Sequence, residues 1–284
     1  MILDGKALAE KIENKTAERI QQNNKKPCLA VIQVGDNPAS NSYVRSKEKA
    51  CERCGIASSI HKLPEDTTSQ DLRALISQLN VDKNINGILV QLPLPKHIDE
   101  REIIETILPT KDVDGFHSLN VGRLTSGLAA TAPCTPLGIM RLLKEVYKDD
   151  LSGLLAVVIG RSNIVGKPVA NLLLKNNATV VVCHSHTSNL SELTKLADII
   201  IVATGKPNTL TGDMIKEGAT VIDVGINRIP DNTKKSGYRL IGDCDFDSLK
   251  DKVSAITPVP GGVGPMTVAM LMANTYQCFL QQNS

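Results

Sequence analysis

The sequence predicts an α/β protein of two domains, and three observations carry that prediction. Short apolar runs such as 28–34 and 154–159 alternate along the chain with segments whose apolar residues recur at helical spacing. Most of these runs are apolar throughout, the pattern of parallel strands covered on both faces. A stretch rich in Gly, Thr, Ser and Pro, 111–136, separates two such halves, and 284 residues are ample for two cores.

The elements follow in order. Residues 5–22 carry Leu8, Ile12 and Ile20 at multiples of four, a helical stripe. Residues 28–34 suit a buried strand. Residues 40–54 read as a helix charged on one side and stopped by Gly55. A strand at 56–60, a capped helix at 69–80 and a buried strand at 87–91 come next. Leu92-Pro93-Leu94-Pro95 cannot remain in a sheet ladder, and 99–107 is helical. In the second half, strands are expected at 154–159, 179–183, 198–203 and 220–224. Helices are expected at 168–176 and 188–196, with a shorter one near 213–216. The polar stretch 227–238 reads as a surface loop. Residues 257–264 are rich in Pro and Gly, and a last helix follows with Pro265 in its first turn. The expected domains are 1–118 and 119–264.

Composition removes several function classes. Lys and Arg total 32 against 30 for Asp and Glu, so a net charge of +2 gives no basic surface for nucleic acid. There is no Trp, and a stacking platform for single strands would need aromatic residues. No apolar run approaches the roughly 20 residues of a membrane span, so no membrane partner is expected. No basic-then-apolar leader opens the chain. The seven cysteines are irregularly spaced; Cys51 and Cys54 read as reduced thiols in or near a helix, not as half of a zinc site. A cytoplasmic protein fits these features.

The first strand of the second half runs into Gly160-Arg161-Ser162-Asn163-Ile164-Val165-Gly166-Lys167-Pro168. A strand, a glycine-containing turn and a helix start can cradle a pyrophosphate on free backbone N–H groups. Ser162 replaces the middle glycine of the usual fingerprint and the last glycine comes one residue late, so the turn alone is equally compatible with a structural role. In NAD sites an acid about 20 residues on holds the ribose 2′-hydroxyl. Here the corresponding strand ends Val182-Cys183-His184-Ser185-His186, without an acid. Arg161, Ser185 and the histidines can instead donate to a 2′-phosphate, which points to NADP.

In the first half, Tyr43 and Lys47 lie four residues apart and share a helix face. By composition Lys47 is one more solvated lysine and Tyr43 an ordinary half-buried aromatic. Gln91 ends a strand, and Asp114-Gly115 resembles a turn.

Six blocks change that weighing. Residues 34–47 (VGDNPASNSYVRSK), 91–95 (QLPLP), 111–116 (KDVDGF), 133–136 (PCTP), 160–162 with 165–168 (GRS, VGKP) and 257–267 (TPVPGGVGPMT) stand in order over nearly the whole chain. Together they resemble the bifunctional methylenetetrahydrofolate dehydrogenase/methenyltetrahydrofolate cyclohydrolase family. The resemblance implies an N-terminal α/β folate and catalytic domain and a Rossmann-like NADP domain. A folate cleft would lie between them, and the helix 265–284 would pack back on the first domain. Lys47 would be the central catalytic group, with Tyr43 against the folate rings, Gln91 hydrogen-bonded to Lys47 and Asp114 holding the pterin. Pro260, Gly261 and Gly262 would approach the substrate, and Gly160, Arg161, Ser162, Ser185 and Ile226 would line the NADP site. No metal is implied. The resemblance also implies a cytoplasmic homodimer serving purine, histidine and methionine biosynthesis.

Three other readings stand beside this one. A monofunctional dehydrogenase would lack cyclohydrolase activity. A shikimate-dehydrogenase-like enzyme would share the sheet but has no reason to carry Tyr43, Lys47 and Gln91-Leu92-Pro93. A nucleotide-binding sensor would do no chemistry.

Overall fold

The computed structural model describes residues 1–234 and 237–283. Lys235 and Ser236, in the expected surface loop, and Ser284, at the end of the expected last helix, lie outside the described residues. The chain divides into two compact units, Ala9–Cys134 with Val268–Ser284 and Thr135–Thr267 with Met1–Leu8.

The unit Ala9–Cys134 is built on a parallel sheet of order β2-β1-β3, with β1 at Cys28–Val34, β2 at Ala57–Leu63 and β3 at Gly87–Val90. Helices α1 (Gly5–Gln21), α2 (Pro38–Cys54), α3 (Ser69–Val81), α4 (Glu100–Thr106) and α5 (Ser118–Thr125) connect or follow these strands. Ala30, Ile32 and Val34 of β1 alternate onto one face and pack with Leu72, Ile76 and Ile103. Each fully buried Leu or Ile contributes about 1.5–3 kcal/mol. Helix α3 starts where Thr68 accepts from the Asp71 N–H. It ends where the buried Lys111 ammonium donates to the carbonyls of Leu79 (2.9 Å) and Asp82 (2.7 Å), a cation on the negative end of a helix dipole.

The other unit holds a parallel sheet of order β10-β7-β6-β4-β5. Its strands are β4 (Leu155–Ile159), β5 (Thr179–Cys183), β6 (Ile199–Val202), β7 (Thr220–Asp223) and β10 (Ala255–Ile256). Ile2 forms a parallel bridge with Ile256, which ties the first residues to the β10 edge. Helices α6 (Cys134–Tyr147), α7 (Gly166–Lys175), α8 (Leu190–Leu196) and α9 (Phe246–Leu249) accompany these strands. The last helix, α10, is Val263–Asn283. Successive strands move in opposite directions from β4, so the switch point of the sheet lies between β4 and β6.

Four expectations change. Residues 227–238 are not simply a loop: Asn227–Pro230 (β8) pairs antiparallel with Tyr238–Ile241 (β9). Polar residues hide this hairpin because neither strand has a fully buried position, and Arg228 stacks 4.9 Å above the Tyr238 ring. Residues 213–216 form a turn, not a helix, closed by the Met214 N–H on the Thr211 carbonyl. The stretch 111–136 contains helix α5, whose Asn120 is bonded to Asp112 and to the Pro109 carbonyl. The expected boundary at 118/119 therefore falls inside the first unit, which extends to Cys134, and Met1–Leu8 group with the second.

Candidate active and cofactor sites

The entry to α2 is tied down from the strand below it. Gln33, buried on β1, donates through Nε2 to the Gly35 carbonyl (3.0 Å) and to Asn41 Oδ1 (2.8 Å). Asn41 in turn donates to Asp36 (2.7 Å). These bonds fix the turn from which the helix carries Tyr43 and Lys47 on one face. Tyr43 is 44% exposed.

Lys47 Nζ donates to Gln91 Oε1 at 2.8 Å. Gln91 extends the β3 ladder through its own N–H on the Ile32 carbonyl, and its Nε2 donates to the Leu92 carbonyl at 2.7 Å. The amide is thereby oriented with its oxygen toward the lysine. Burial lowers the Lys47 pKa from the ordinary lysine range, partly opposed by the negative charge of Asp114 and by Cys134. A neutral amide partner permits this shift, whereas a carboxylate at Gln91's place would hold the ammonium form.

Asp114 stands in a turn made by its neighbour. The buried Asp112 carboxylate accepts from the Gly115 and His117 N–H groups and from Asn120 Nδ2, all at 2.9 Å. Burial pushes Asp114 up to about 6; Lys47 pulls it back and Asp112 adds to the rise. The mutual influence of Lys47 and Asp114 puts an amine of lowered pKa and a carboxyl of raised pKa in one neighbourhood, the arrangement that proton-transfer chemistry uses. Cys134, fully within this surrounding, sits with its sulfur 3.9 Å from Asp114 Oδ1. Sequence reading singled out neither Asp112, Cys134 nor Asn274, whose carboxamide reaches the same turn. Only the KDVDGF and PCTP blocks hinted at the first two.

In the other unit, Gly160 ends β4 at the switch point with φ +132, and a Cβ there would lie 2.3 Å from the Ala203 carbonyl oxygen at the end of β6. A Cβ on Gly166 would lie 2.1 Å from the Gly160 oxygen, so strand and helix approach too closely for any side chain. Three of the N–H groups at the start of the helix are already engaged within the turn. The Ser162 hydroxyl accepts from the Val165 (3.1 Å) and Gly166 (3.3 Å) N–H groups, and its carbonyl accepts from Lys167. Ser162 thus ties down the turn ahead of α7, whose N-cap residue is Val165, and its own O–H hydrogen remains the donor it can offer to a ligand.

Arg161 stands close enough to His184 to lower its pKa, after partial burial and together with His186. Ser185 is exposed between the two histidines. An arginine just past β4 and two imidazoles and a hydroxyl just past the neighbouring β5 can donate to a phosphate, and no carboxylate stands among them to hold a ribose hydroxyl or repel the phosphate. Ile226 is 46% exposed, beside Gly264, beyond the end of β7. The rim here is held by two carboxylates. Asp243 accepts from the Thr204 and Gly205 N–H groups and from Asn227 Nδ2. Asp223 accepts from the Gly225, Asp243 and Cys244 N–H groups.

Pro260, Gly261 and Gly262 belong to the unit that carries the cofactor candidates. The glycines here serve a contact within the protein: a Cβ on Gly5 would lie 1.9 Å from the Gly262 oxygen, and Lys6 N–H bonds to the Gly261 carbonyl at 3.0 Å. Among the described residues, no group of three or more His, Cys, Asp or Glu could hold a metal ion.

Comparison with known proteins places these features in a family. The description "Tetrahydrofolate dehydrogenase/cyclohydrolase, catalytic domain" matches residues 3–114, and its NAD(P)-binding domain matches residues 133–283. The chain is 58% identical over 277 residues to a protein of Campylobacter curvus named bifunctional protein FolD, covering 96% of this chain and 94% of that one. A crystal structure of the bifunctional FolD methylenetetrahydrofolate dehydrogenase/cyclohydrolase of Campylobacter jejuni is 54% identical, covers 99% of both chains and superposes with a TM-score of 0.94. The methylenetetrahydrofolate dehydrogenase-cyclohydrolase of Trypanosoma brucei, solved with NADP and an inhibitor, is 38% identical. It covers 99% of this chain and 97% of its own, with a TM-score of 0.93.

Proposed function

The chain belongs to the tetrahydrofolate dehydrogenase/cyclohydrolase family, and on that premise we propose how its residues carry out the family's two reactions. The enzyme oxidises 5,10-methylenetetrahydrofolate to 5,10-methenyltetrahydrofolate with NADP and hydrolyses that product to 10-formyltetrahydrofolate. Bound NADP supplies the hydride acceptor. The Gly160 turn, Ser162, Arg161, Ser185 and Ile226 hold it, with Arg161 on the 2′-phosphate.

The observation that carries the mechanism is the half-buried Lys47 amine held at 2.8 Å by a neutral amide. Loss of hydride leaves a methenyl cation, electrophilic enough to need no nucleophilic side chain. A base for the incoming water is what remains to be supplied. With one N–H donated to Gln91, the neutral amine keeps its lone pair for a water proton. A cationic substrate beside it favours the neutral form further. Asp114 accepts a pair of N–H donors from the pterin edge, and Tyr43 lies against the folate rings.

No helix among the described residues is long and apolar enough to cross a membrane. We place the enzyme in the cytoplasm as a homodimer supplying one-carbon units for purine, histidine and methionine biosynthesis. Light scattering of the purified protein tests the dimer. The enzymatic reading is tested by incubating purified protein with methylenetetrahydrofolate and either NADP or NAD. NADPH formation well above NADH formation is expected; no reduced cofactor would reject the enzyme, and preference for NAD would reject the phosphate site.

A further inference from the structure

Helix α10 buries an asparagine among the largely apolar residues of its inner face. Asn274 is 7% exposed. Its Nδ2 lies 2.8 Å from the Val113 carbonyl and 3.0 Å from the Ala132 carbonyl, with the Cys134 sulfur at 3.5 Å. The two amide hydrogens are thus taken by two carbonyls from separate stretches of chain. One carbonyl belongs to the peptide that leads into Asp114. The other lies two residues before Cys134, whose thiol in turn contacts the Val113 carbonyl (3.4 Å) and Asp114 Oδ1 (3.9 Å). Asp112 fixes the same turn from its other side, through the Gly115 and His117 N–H groups.

From this arrangement we infer that Asn274 is a positioning residue for folate binding: it fixes the peptide plane between Val113 and Asp114 and so aims the Asp114 carboxylate. The inference rests on the proposed role of Asp114 as the pterin anchor. Asn274 itself touches neither the carboxylate nor any reacting atom. Its effect is on where the carboxylate points, because holding a carbonyl fixes the backbone dihedral that sets the direction of the next Cα–Cβ bond. Without the amide, the Ala132 carbonyl loses this donor and the Val113 carbonyl keeps only the weaker Cys134 thiol, so the turn is held less firmly.

The test compares four substitutions for steady-state kinetics with both substrates. Asn274→Ala removes both donors. Asn274→Ser keeps one donor of shorter reach and serves if the alanine variant folds poorly. Met272→Ala, at a fully buried apolar position of the same helix, reports packing loss alone. Asp114→Ala reports the anchor. The expected result for Asn274→Ala is a rise of about tenfold in KM for methylenetetrahydrofolate, with KM for NADP within about twofold of wild type. Asn274→Ser should show a smaller rise with the same split, and Met272→Ala no split. An unchanged folate KM in a folded Asn274 variant, while Asp114→Ala raises it, overturns the inference and leaves the anchor standing. So does an equal rise in both KM values, or failure of both Asn274 variants to fold where Met272→Ala folds. If Asp114→Ala leaves folate KM unchanged, the anchor reading itself fails and the inference falls with it.

Discussion

Lys47 illustrates what a single residue owes to its surroundings. Four of the five residues 45–49 are charged, and a lysine among them reads as solvated. Its value as a base comes from burial and from the neutral Gln91 amide, both set by tertiary contacts that helical spacing cannot report. The family blocks identified it; periodicity alone would not. Lys47→Met should lower methenyl hydrolysis by about 100- to 10,000-fold while NADP binding survives, as measured by single-substrate assays and calorimetry. Hydride transfer needs no base and should fall less. Hydrolysis at the wild-type rate would remove Lys47 from the mechanism.

Asp114 makes a second prediction at this scale. Its folded pKa is raised to about 6, chiefly by burial. Below that pH the carboxyl is neutral and loses the charge that accepts the pterin N–H pair, so KM for methylenetetrahydrofolate should climb as pH falls from 7 to 5. Asp114→Asn should flatten that dependence. For stability the sign is opposite to a salt-bridged carboxylate: the contribution is full below the unfolded pKa near 3.8 and is lost as pH rises through about 6. A pH-independent wild-type folate KM over this range would show that Asp114 does not titrate there or does not bind folate.

At the scale of elements, strands and helices with strong periodicity were legible, and so was the β4–turn–α7 unit with its two glycines. The details of that turn were not. Ser162 takes up the helix-start N–H groups through its own hydroxyl and carbonyl, which no spacing of glycines announces. The β8–β9 hairpin was missed because its residues are half-buried or exposed, without a fully buried apolar face. Helix α6 was missed too, although Ile139, Leu142 and Leu143 are buried on it at helical spacing, because it follows directly on the Pro-rich stretch. The missing acid after β5 was legible and bears on Arg161. Arg161→Ala should remove a charge-assisted contact of about 1.5–3 kcal/mol and raise KM for NADP by roughly ten- to a hundredfold, with little effect on KM for NAD. Equal weakening of both cofactors would assign Arg161 to the turn or to the shared pyrophosphate.

At the scale of the molecule, two α/β units were legible from alternating apolar runs, but their discontinuity was not. Met1–Leu8 group with Thr135–Thr267 because Leu3 and Met1 bond to Ile256 across the β10 edge, a pairing of residues more than 250 apart in sequence. The candidate amine and carboxyl fall in one unit and the cofactor candidates in the other. The central claim is that one chain performs both reactions. It is tested most directly by following all products when purified protein receives methylenetetrahydrofolate and NADP. The account predicts that NADPH and 10-formyltetrahydrofolate accumulate together, with methenyltetrahydrofolate consumed faster than it hydrolyses in buffer alone. NADPH formation with methenyltetrahydrofolate disappearing only at the buffer rate would contradict it and leave a monofunctional dehydrogenase.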